Sequence, residues 1–148
     1  MKRVWTGRVL SAAAVLFLLF DSAGKLLQVP PVVAGTKQLG YPEDVVRALG
    51  LILLISVATH LVPRLSIVGA VLLTAYLGGA VATHVRVGSP ILTHALFPVY
   101  LAVLIWGGLY LRDGRLRGVL APPVHTNEEP APPREAAVRA AKIPVRAS

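Results

Sequence analysis

The sequence contains no cysteine, which excludes disulfide bonds, thiol catalysis, iron–sulfur ligation and cysteine-bound zinc. Charged residues are scarce as well, at 15% of the 148 residues, whereas soluble globular proteins carry about 25%. The chain also lacks the GxGxxG, P-loop, HExxH and GxSxG motifs that mark common soluble enzyme classes. Any redox chemistry would therefore belong to a bound cofactor or to a partner.

Apolar residues dominate the chain instead. Hydrophobic residues make up 55% of it, and the mean hydropathy is +0.67. Between residues 9 and 111 they form four runs, each long enough to cross a bilayer as a helix. The sequence thus predicts an all-α integral membrane four-helix bundle. We attribute the net charge of +8 to basic segments that flank the spans and face lipid, and we predict no nucleic-acid partner.

The apolar runs place the four spans. Their predicted residues are 4–20, 45–62, 65–86 and 91–111. The first helix is expected to continue through Leu27, because no glycine or proline interrupts it between Arg8 and Gly24. Residues 1–24 also fit a secretory signal with a basic start, a short apolar core and a cleavage site at Ser22-Ala23-Gly24,, but further apolar spans follow it instead of a soluble domain.

The first connection, residues 29–44, is predicted to be an irregular loop. Its helix-breaking residues are Pro30, Pro31, Gly35, Gly40 and Pro42. The connection of Pro63 and Arg64 is very short, so spans two and three should be antiparallel neighbours, and residues 88–90 are predicted to form the next turn. Residues 1–113 then form one membrane domain, and residues 114–148, which are rich in proline and basic, form a disordered tail.

The third span carries a small side chain at every fourth position. These residues are Ser66, Ala70, Thr74, Gly78 and Ala82. Small residues allow membrane helices to approach closely, so we expect this stripe, and Gly78 within it, to pack tightly against a neighbouring helix.

The distribution of basic residues indicates the orientation. Seven Lys and Arg residues near the spans lie on the side of the termini, and four lie on the opposite side. The positive-inside rule then places both termini in the cytoplasm, with His60 and Arg64 at that face. The predicted location is the cell (inner) membrane.

Polar residues from three spans should meet at the opposite, outer end. Ionisable side chains at membrane depth are costly unless paired, which makes them functional candidates. Asp21 should pair with Lys25, four residues on, or with Arg86, and Pro98 should leave the carbonyl of His94 in need of a donor. A structural cap is the alternative to a ligand site, and the cations disfavour a metal ion. The candidate polar cluster consists of Asp21, Lys25, His84, Arg86 and His94.

Several short segments carry a family resemblance. They are FDSAGKLL (20–27), LGYP (39–42), YLGGAVATHVR (76–86), FPVY (97–100) and WGGLY (106–110). In combination, over about residues 8–113, they resemble the DoxX-like family of small four-helix membrane proteins. Lys25, His84 and Arg86 match polar positions of that family. The acidic residue that many relatives carry three positions after a glycine in the second helix is replaced by Leu53, after Gly50.

The resemblance implies a role beside quinone-dependent respiratory or sulfur oxidoreductases, often as an accessory subunit. We therefore predict a non-catalytic component that binds or positions a quinone-like, lipid-soluble ligand for a partner oxidoreductase, with a quinone as the candidate cofactor. A small transporter or permease and a purely structural membrane partner are the alternatives. The sequence identifies no catalytic residue.

Overall fold

The structure, a computed structural model, describes residues 2–120, which are helical apart from short connections. In chain order the helices are α1 (Lys2–Leu26), α2 (Pro30–Gln38), α3 (Glu43–Leu61), α4 (Ser66–Arg86), α5 (Phe97–Arg112) and α6 (Gly114–Leu120). A five-residue π-helical turn, Ile91–Ala95, precedes α5. Within the predicted tail, residues 114–120 form α6, and residues 121–148 lie outside the described residues.

Four helical segments are long and apolar enough to cross a membrane: α1, α3, α4, and the π-helical turn together with α5. Each packs against the spans before and after it, and α5 closes the ring against α1. We call the end of the bundle where α1 begins and α5 ends the N-terminal end, and the opposite end, beside α2, the distal end. The predicted all-helical four-span bundle is confirmed.

The interior of the bundle is filled by aliphatic side chains from all four spans. Leu18, Leu53, Leu73 and Ile105 are at most 2% exposed and belong to one continuous cluster. The outward faces are equally apolar, and Phe20 is 77% exposed. Such a surface suits lipid hydrocarbon and not water, so the chain is an integral membrane protein. Close packing and dispersion, more than water exclusion, then hold its spans together.

Residues 30–38 form a helix, which corrects the prediction of an irregular loop over residues 29–44. Pro30 and Pro31 stand in the first turn of α2. A backbone N–H at those positions has no acceptor within the helix, so proline loses nothing there and its fixed φ favours helix initiation. Reading both prolines as helix breakers was wrong because their effect depends on position within the helix.

α2 lies against the distal ends of α1 and α3. Its Val33 and Thr36 are buried. The approach to α1 is close, because a Cβ added to Gly24 would lie 2.9 Å from Cγ2 of Val32. The first connection therefore forms a packed cover over the distal end of the bundle.

The stripe of small residues on α4 faces a neighbouring helix only in its first part. Ser66 and Ala70 are buried, but a Cβ added to Gly78 would meet no atom within 4 Å. A step of four residues turns about 40° around the helix axis, so the stripe has moved about 120° by Gly78. The expected tight seam at Gly78 was wrong, and it lies at Gly69 instead. The buried positions of α4 include Ser66, Gly69, Ala70, Leu73 and Leu77.

α1 and α5 cross closely near the N-terminal end. A Cβ added to Gly7 would lie 2.8 Å from the carbonyl oxygen of Gly108 and 3.3 Å from the backbone nitrogen of Arg112. A Cβ on Gly108 would lie 2.9 Å from the backbone nitrogen of Ser11. Two helix backbones approach this closely only where no side chain intervenes. The crossing thereby brings Arg8, next to Gly7, beside the last turn of α5.

Candidate functional site

A cavity of about 790 Å³ occupies the distal end of the bundle. We call it the distal cavity. Its walls are largely apolar and include Phe17, Leu18, Phe97 and Leu101. Four of the five residues of the predicted polar cluster line it: Asp21, Lys25, His84 and His94. The structure thus places one amphipathic cavity where the topology had predicted convergence of polar side chains.

Asp21 and Lys25 form an ion pair on α1, the first of the two pairings predicted for Asp21. The spacing of four residues puts both side chains on the same helix face. Lys25 is 12% exposed and Asp21 29%, so both groups are partly desolvated and favour pairing. α3 passes directly over the lysine stem, because a Cβ added to Gly50 would lie 2.8 Å from Cβ of Lys25. The glycine therefore sets the position of Lys25 in the cavity wall.

Arg86 does not line the distal cavity. It is exposed, and its guanidinium donates a hydrogen bond to the carbonyl oxygen of Leu39 at 3.0 Å. A Cβ added to Gly40, which has a φ of +86°, would lie 3.0 Å from the same guanidinium nitrogen. Arg86 thus ties the connection after α2 to the end of α4, and the pairing of Asp21 with Arg86 is not formed.

The two histidines of the polar cluster come from opposite sides of the turn after α4. Their ring centroids are 6.1 Å apart. Nδ1 of His84 lies 3.1 Å from Oγ of Ser89, and Nδ1 of His94 lies 2.8 Å from Oγ1 of Thr93. Each ring is thus held on one side by a neighbouring hydroxyl. His84 is half-buried, whereas His94 is exposed.

Pro98 does not have the role expected of it. It stands in the first turn of α5, where a missing N–H removes no helical hydrogen bond. The π-helical turn Ile91–Ala95 ends the preceding segment, and the N–H of Leu96 donates to the carbonyl of Ile91 at 2.8 Å. The position of His94 is therefore set by the π-helical turn. It is not set by a missing hydrogen bond at Pro98 within one long helix.

Tyr41 is a cavity residue that the site prediction omitted. Its hydroxyl lies 3.0 Å from Oγ1 of Thr83. The Thr83 hydroxyl donates to the carbonyl of Gly79 at 2.8 Å, so it accepts from Tyr41. This hydrogen bond joins the connection after α2 to α4. The LGYP segment quoted for the family resemblance contained the tyrosine, but its sequence gave no indication of the partner.

Other polar groups lie apart from this cavity. His60 lines a smaller cavity at the N-terminal end, which agrees with the predicted separation of the two ends. Among residues 2–120, no group of three or more His, Cys, Asp or Glu side chains is arranged to hold a metal ion.

The fold and the distal cavity define a small four-span α-helical membrane protein with an amphipathic cavity at one end. The chain belongs to the DoxX-like family, whose model matches residues 9–108. This confirms the resemblance seen in the sequence. None of the curated proteins and none of the solved structures matches the chain.

Proposed function

We propose that this protein is an accessory membrane component that holds a quinone-like, lipid-soluble ligand in the distal cavity for a partner oxidoreductase. The observation that carries the proposal is the cavity itself, which combines apolar walls from α1 and α5 with polar groups from α1 and α4. Its volume of about 790 Å³ falls in the range of about 300–1,000 Å³ typical of small-molecule sites.

The polar lining suits a ligand with carbonyl oxygens. The ammonium group of Lys25 has three donors, and its hydrogen bond to a side chain is the one to Asp21. Within residues 2–120, Nε2 of His84 has no hydrogen-bond partner, since Nδ1 is the atom that faces Ser89. A quinone head group would accept from the Lys25 ammonium, and from Nε2 of His84 in the tautomer whose Nδ1 accepts from the Ser89 hydroxyl,. Its ring would contact Phe17 and Phe97 in the apolar wall.

The proposed role is binding and positioning, and not catalysis by the protein itself. A chain without cysteine has no thiol to exchange electrons with a quinone. The partner oxidoreductase would transfer the electrons while this protein holds the ligand at the membrane. An oxidoreductase gene beside the coding sequence would favour this role, and a regulated efflux operon would favour a transporter.

The proposed location is the cell membrane with both termini in the cytoplasm. The structure puts Arg8, Arg64 and Arg112 at the N-terminal end of the bundle and Arg47 and Arg86 at the distal end. The larger number of basic residues near the spans at the N-terminal end supports this orientation. The distal cavity would then lie on the outer side of the membrane, beneath α2.

The proposal is tested by binding of a short-chain ubiquinone analogue to the full chain in neutral detergent, measured by calorimetry. His84→Ala should weaken binding about fivefold or more, because a hydrogen bond contributes roughly 1 kcal/mol, while the melting temperature stays unchanged. Arg47→Ala is the matched control, since Arg47 is exposed at the same end and does not line the cavity.

Two results would contradict the proposal. One is equal affinity of the wild type and His84→Ala for the analogue. The other is no binding by the wild type together with a lower melting temperature of His84→Ala, which would make the polar cluster a structural cap. Release of the analogue into the interior of proteoliposomes faster than into protein-free liposomes would support the transporter instead.

A further inference from the structure

A second cavity, of about 290 Å³, lies at the N-terminal end. We call it the basic cavity, because three arginines line it: Arg8 from α1, Arg112 from the end of α5, and Arg115 from α6. Asp113 is the single carboxylate among its lining residues. The lining thus has an excess of two positive charges, unless His60 adds another.

His60 is held as the neutral imidazole. Its Nδ1 lies 2.9 Å from the carbonyl oxygen of Ser66, which only accepts, so Nδ1 carries the proton,. Its Nε2 lies 3.2 Å from a guanidinium nitrogen of Arg112, which only donates, so Nε2 is the acceptor,. The ring is 1% exposed. His60 therefore adds no charge to the cavity, and the charge of Arg112 is not neutralised by this contact.

Asp113 is occupied by Arg115. Its Oδ2 accepts from the Arg115 guanidinium at 3.1 Å, and its Oδ1 accepts from the backbone N–H of Arg115 at 2.9 Å. The same guanidinium also donates to the carbonyl oxygen of Pro63 at 2.5 Å. Within residues 2–120, Arg8 and Arg112 form no ion pair. These two guanidiniums account for the excess charge.

The fold holds these two arginines together despite their repulsion. α1 and α5 cross at Gly7 and Gly108. This crossing places the backbone of Arg112 next to Gly7, the residue before Arg8. Arg8, which is exposed, and Arg112, which is half-buried, line the same cavity, so their like charges repel each other and an anion between them would relieve that repulsion. A guanidinium pair of this kind matches the oxygen atoms of a phosphate group, which accepts bidentate hydrogen bonds.

The depth of the basic cavity points to a lipid as the source of the phosphate. Trp5, 68% exposed, and Tyr110, 42% exposed, lie on the first turns of α1 and the last turns of α5. The guanidinium of Arg3 stacks on the ring of Tyr110 at 5.7 Å. Aromatic and arginine side chains of this kind mark the headgroup level of a bilayer, so the cavity faces the phosphates of the adjoining leaflet.

We propose that the basic cavity binds the phosphate of an anionic phospholipid headgroup, with Arg8 and Arg112 as its two guanidinium ligands. The ion pair with Asp113 orients the guanidinium of Arg115, and the hydrogen bond to neutral His60 orients the guanidinium of Arg112. This site lies at the opposite end from the distal cavity and does not depend on the function proposed for it.

The test counts phosphatidylglycerol molecules retained by the full chain in neutral detergent, by titration and native mass spectrometry. Arg8→Gln should weaken binding about tenfold, the expected effect of losing a charge-assisted hydrogen bond. The side chain of Arg8 is exposed and forms no ion pair within residues 2–120, so the variant should fold. Arg64→Gln is the matched control: it removes the same charge from an exposed residue at the same end, outside the cavity, and should change affinity less than about twofold.

A second variant separates the site from general surface charge. Arg8→Glu would supply a carboxylate beside Arg112, in place of the lipid phosphate. It should abolish retention of phosphatidylglycerol and raise the melting temperature of the lipid-free protein. A lower melting temperature in Arg8→Glu would overturn the proposed repulsion between Arg8 and Arg112.

Three further outcomes would overturn the proposal. Equal losses in Arg8→Gln and Arg64→Gln would mean that the overall positive charge at this end of the protein, and not the cavity, attracts the lipid. Equal retention of phosphatidylcholine and phosphatidylglycerol would show that the cavity does not select an anionic headgroup. Displacement of the lipid by low concentrations of inorganic phosphate would identify the ligand as a free anion.

Discussion

Replacement of Gly69 by alanine should destabilise the bundle, although both residues are small. Gly69 lies on α4 where it crosses the last turn of α3. A Cβ built there would come closer than 3.0 Å to the backbone nitrogen and Cα of His60. Backbone atoms cannot rotate away as a side chain can, so α3 and α4 would have to separate. Such a shift would also disturb the hydrogen bond between His60 and Ser66.

The expected magnitude follows from comparison with Gly78 on the same helix. Overpacking a tight contact costs roughly 1–3 kcal/mol, which is the loss expected for Gly69→Ala. A Cβ on Gly78 meets no atom within 4 Å, so Gly78→Ala has no steric cost and gains up to about 1 kcal/mol of helix propensity. The two variants make the same chemical change in one helix. The gain in helix propensity is common to both variants, so their free energies of unfolding should differ by the steric cost alone, about 1–3 kcal/mol.

The assay is reversible unfolding of the purified full chain in mixed micelles, by titration with sodium dodecyl sulfate and circular dichroism. Gly69→Ala should unfold at a lower mole fraction of the denaturing detergent than the wild type, and Gly78→Ala at the same or a higher one. Equal stability of the two variants would refute the close contact between α3 and α4. A larger loss in Gly78→Ala would restore the small-residue stripe as the packing seam.

Two other predictions concern orientation and pH. Because the chain has no cysteine, a membrane-impermeant maleimide added to intact cells should label Gly35→Cys and leave Arg64→Cys unlabelled if both termini are cytoplasmic; the reverse pattern would invert the topology. The hydrogen bonds from Arg115 hold the pKa of Asp113 below its ordinary value of 3.8, so this group contributes stability that is fully present above that pH and is lost as pH falls through its folded pKa. The stability difference between wild type and Asp113→Asn should therefore be constant near neutral pH and shrink in acid below about pH 4, and a difference that grew in acid would contradict the assignment.

Features that depend on short stretches of chain were predicted well. The second and third spans, predicted at 45–62 and 65–86, are Glu43–Leu61 and Ser66–Arg86 in the structure. The pairing of Asp21 with Lys25 was also predictable, because a spacing of four residues brings side chains together in any helix. The errors concern residues whose effect depends on where they stand in a helix. Pro30 was predicted to break regular structure, but it stands in the first turn of α2.

The candidate site shows the same difference between features that follow from local sequence or chain direction and features that depend on tertiary contacts. Convergence at the distal end followed from chain direction alone, which placed four of the five predicted polar residues around one cavity. The hydrogen bond of Arg86 to Leu39 and that of Tyr41 to Thr83 could not be predicted. Both depend on how the connection after α2 folds across the bundle. The pattern of apolar and polar residues in the sequence does not predict that path.

The sequence by itself determined that the chain crosses a membrane four times, because a helix satisfies its backbone hydrogen bonds locally and needs only enough apolar residues to span the hydrocarbon. The tertiary structure decided which face of each span packs inward. Spans that are apolar on all sides have no polar face to fix their rotation, so the choice of Gly69 over Gly78 as the contact with α3 appears only once the helices are packed. The same packing of α1 against α5 decided that Arg8 and Arg112, 104 positions apart in the sequence, line one cavity.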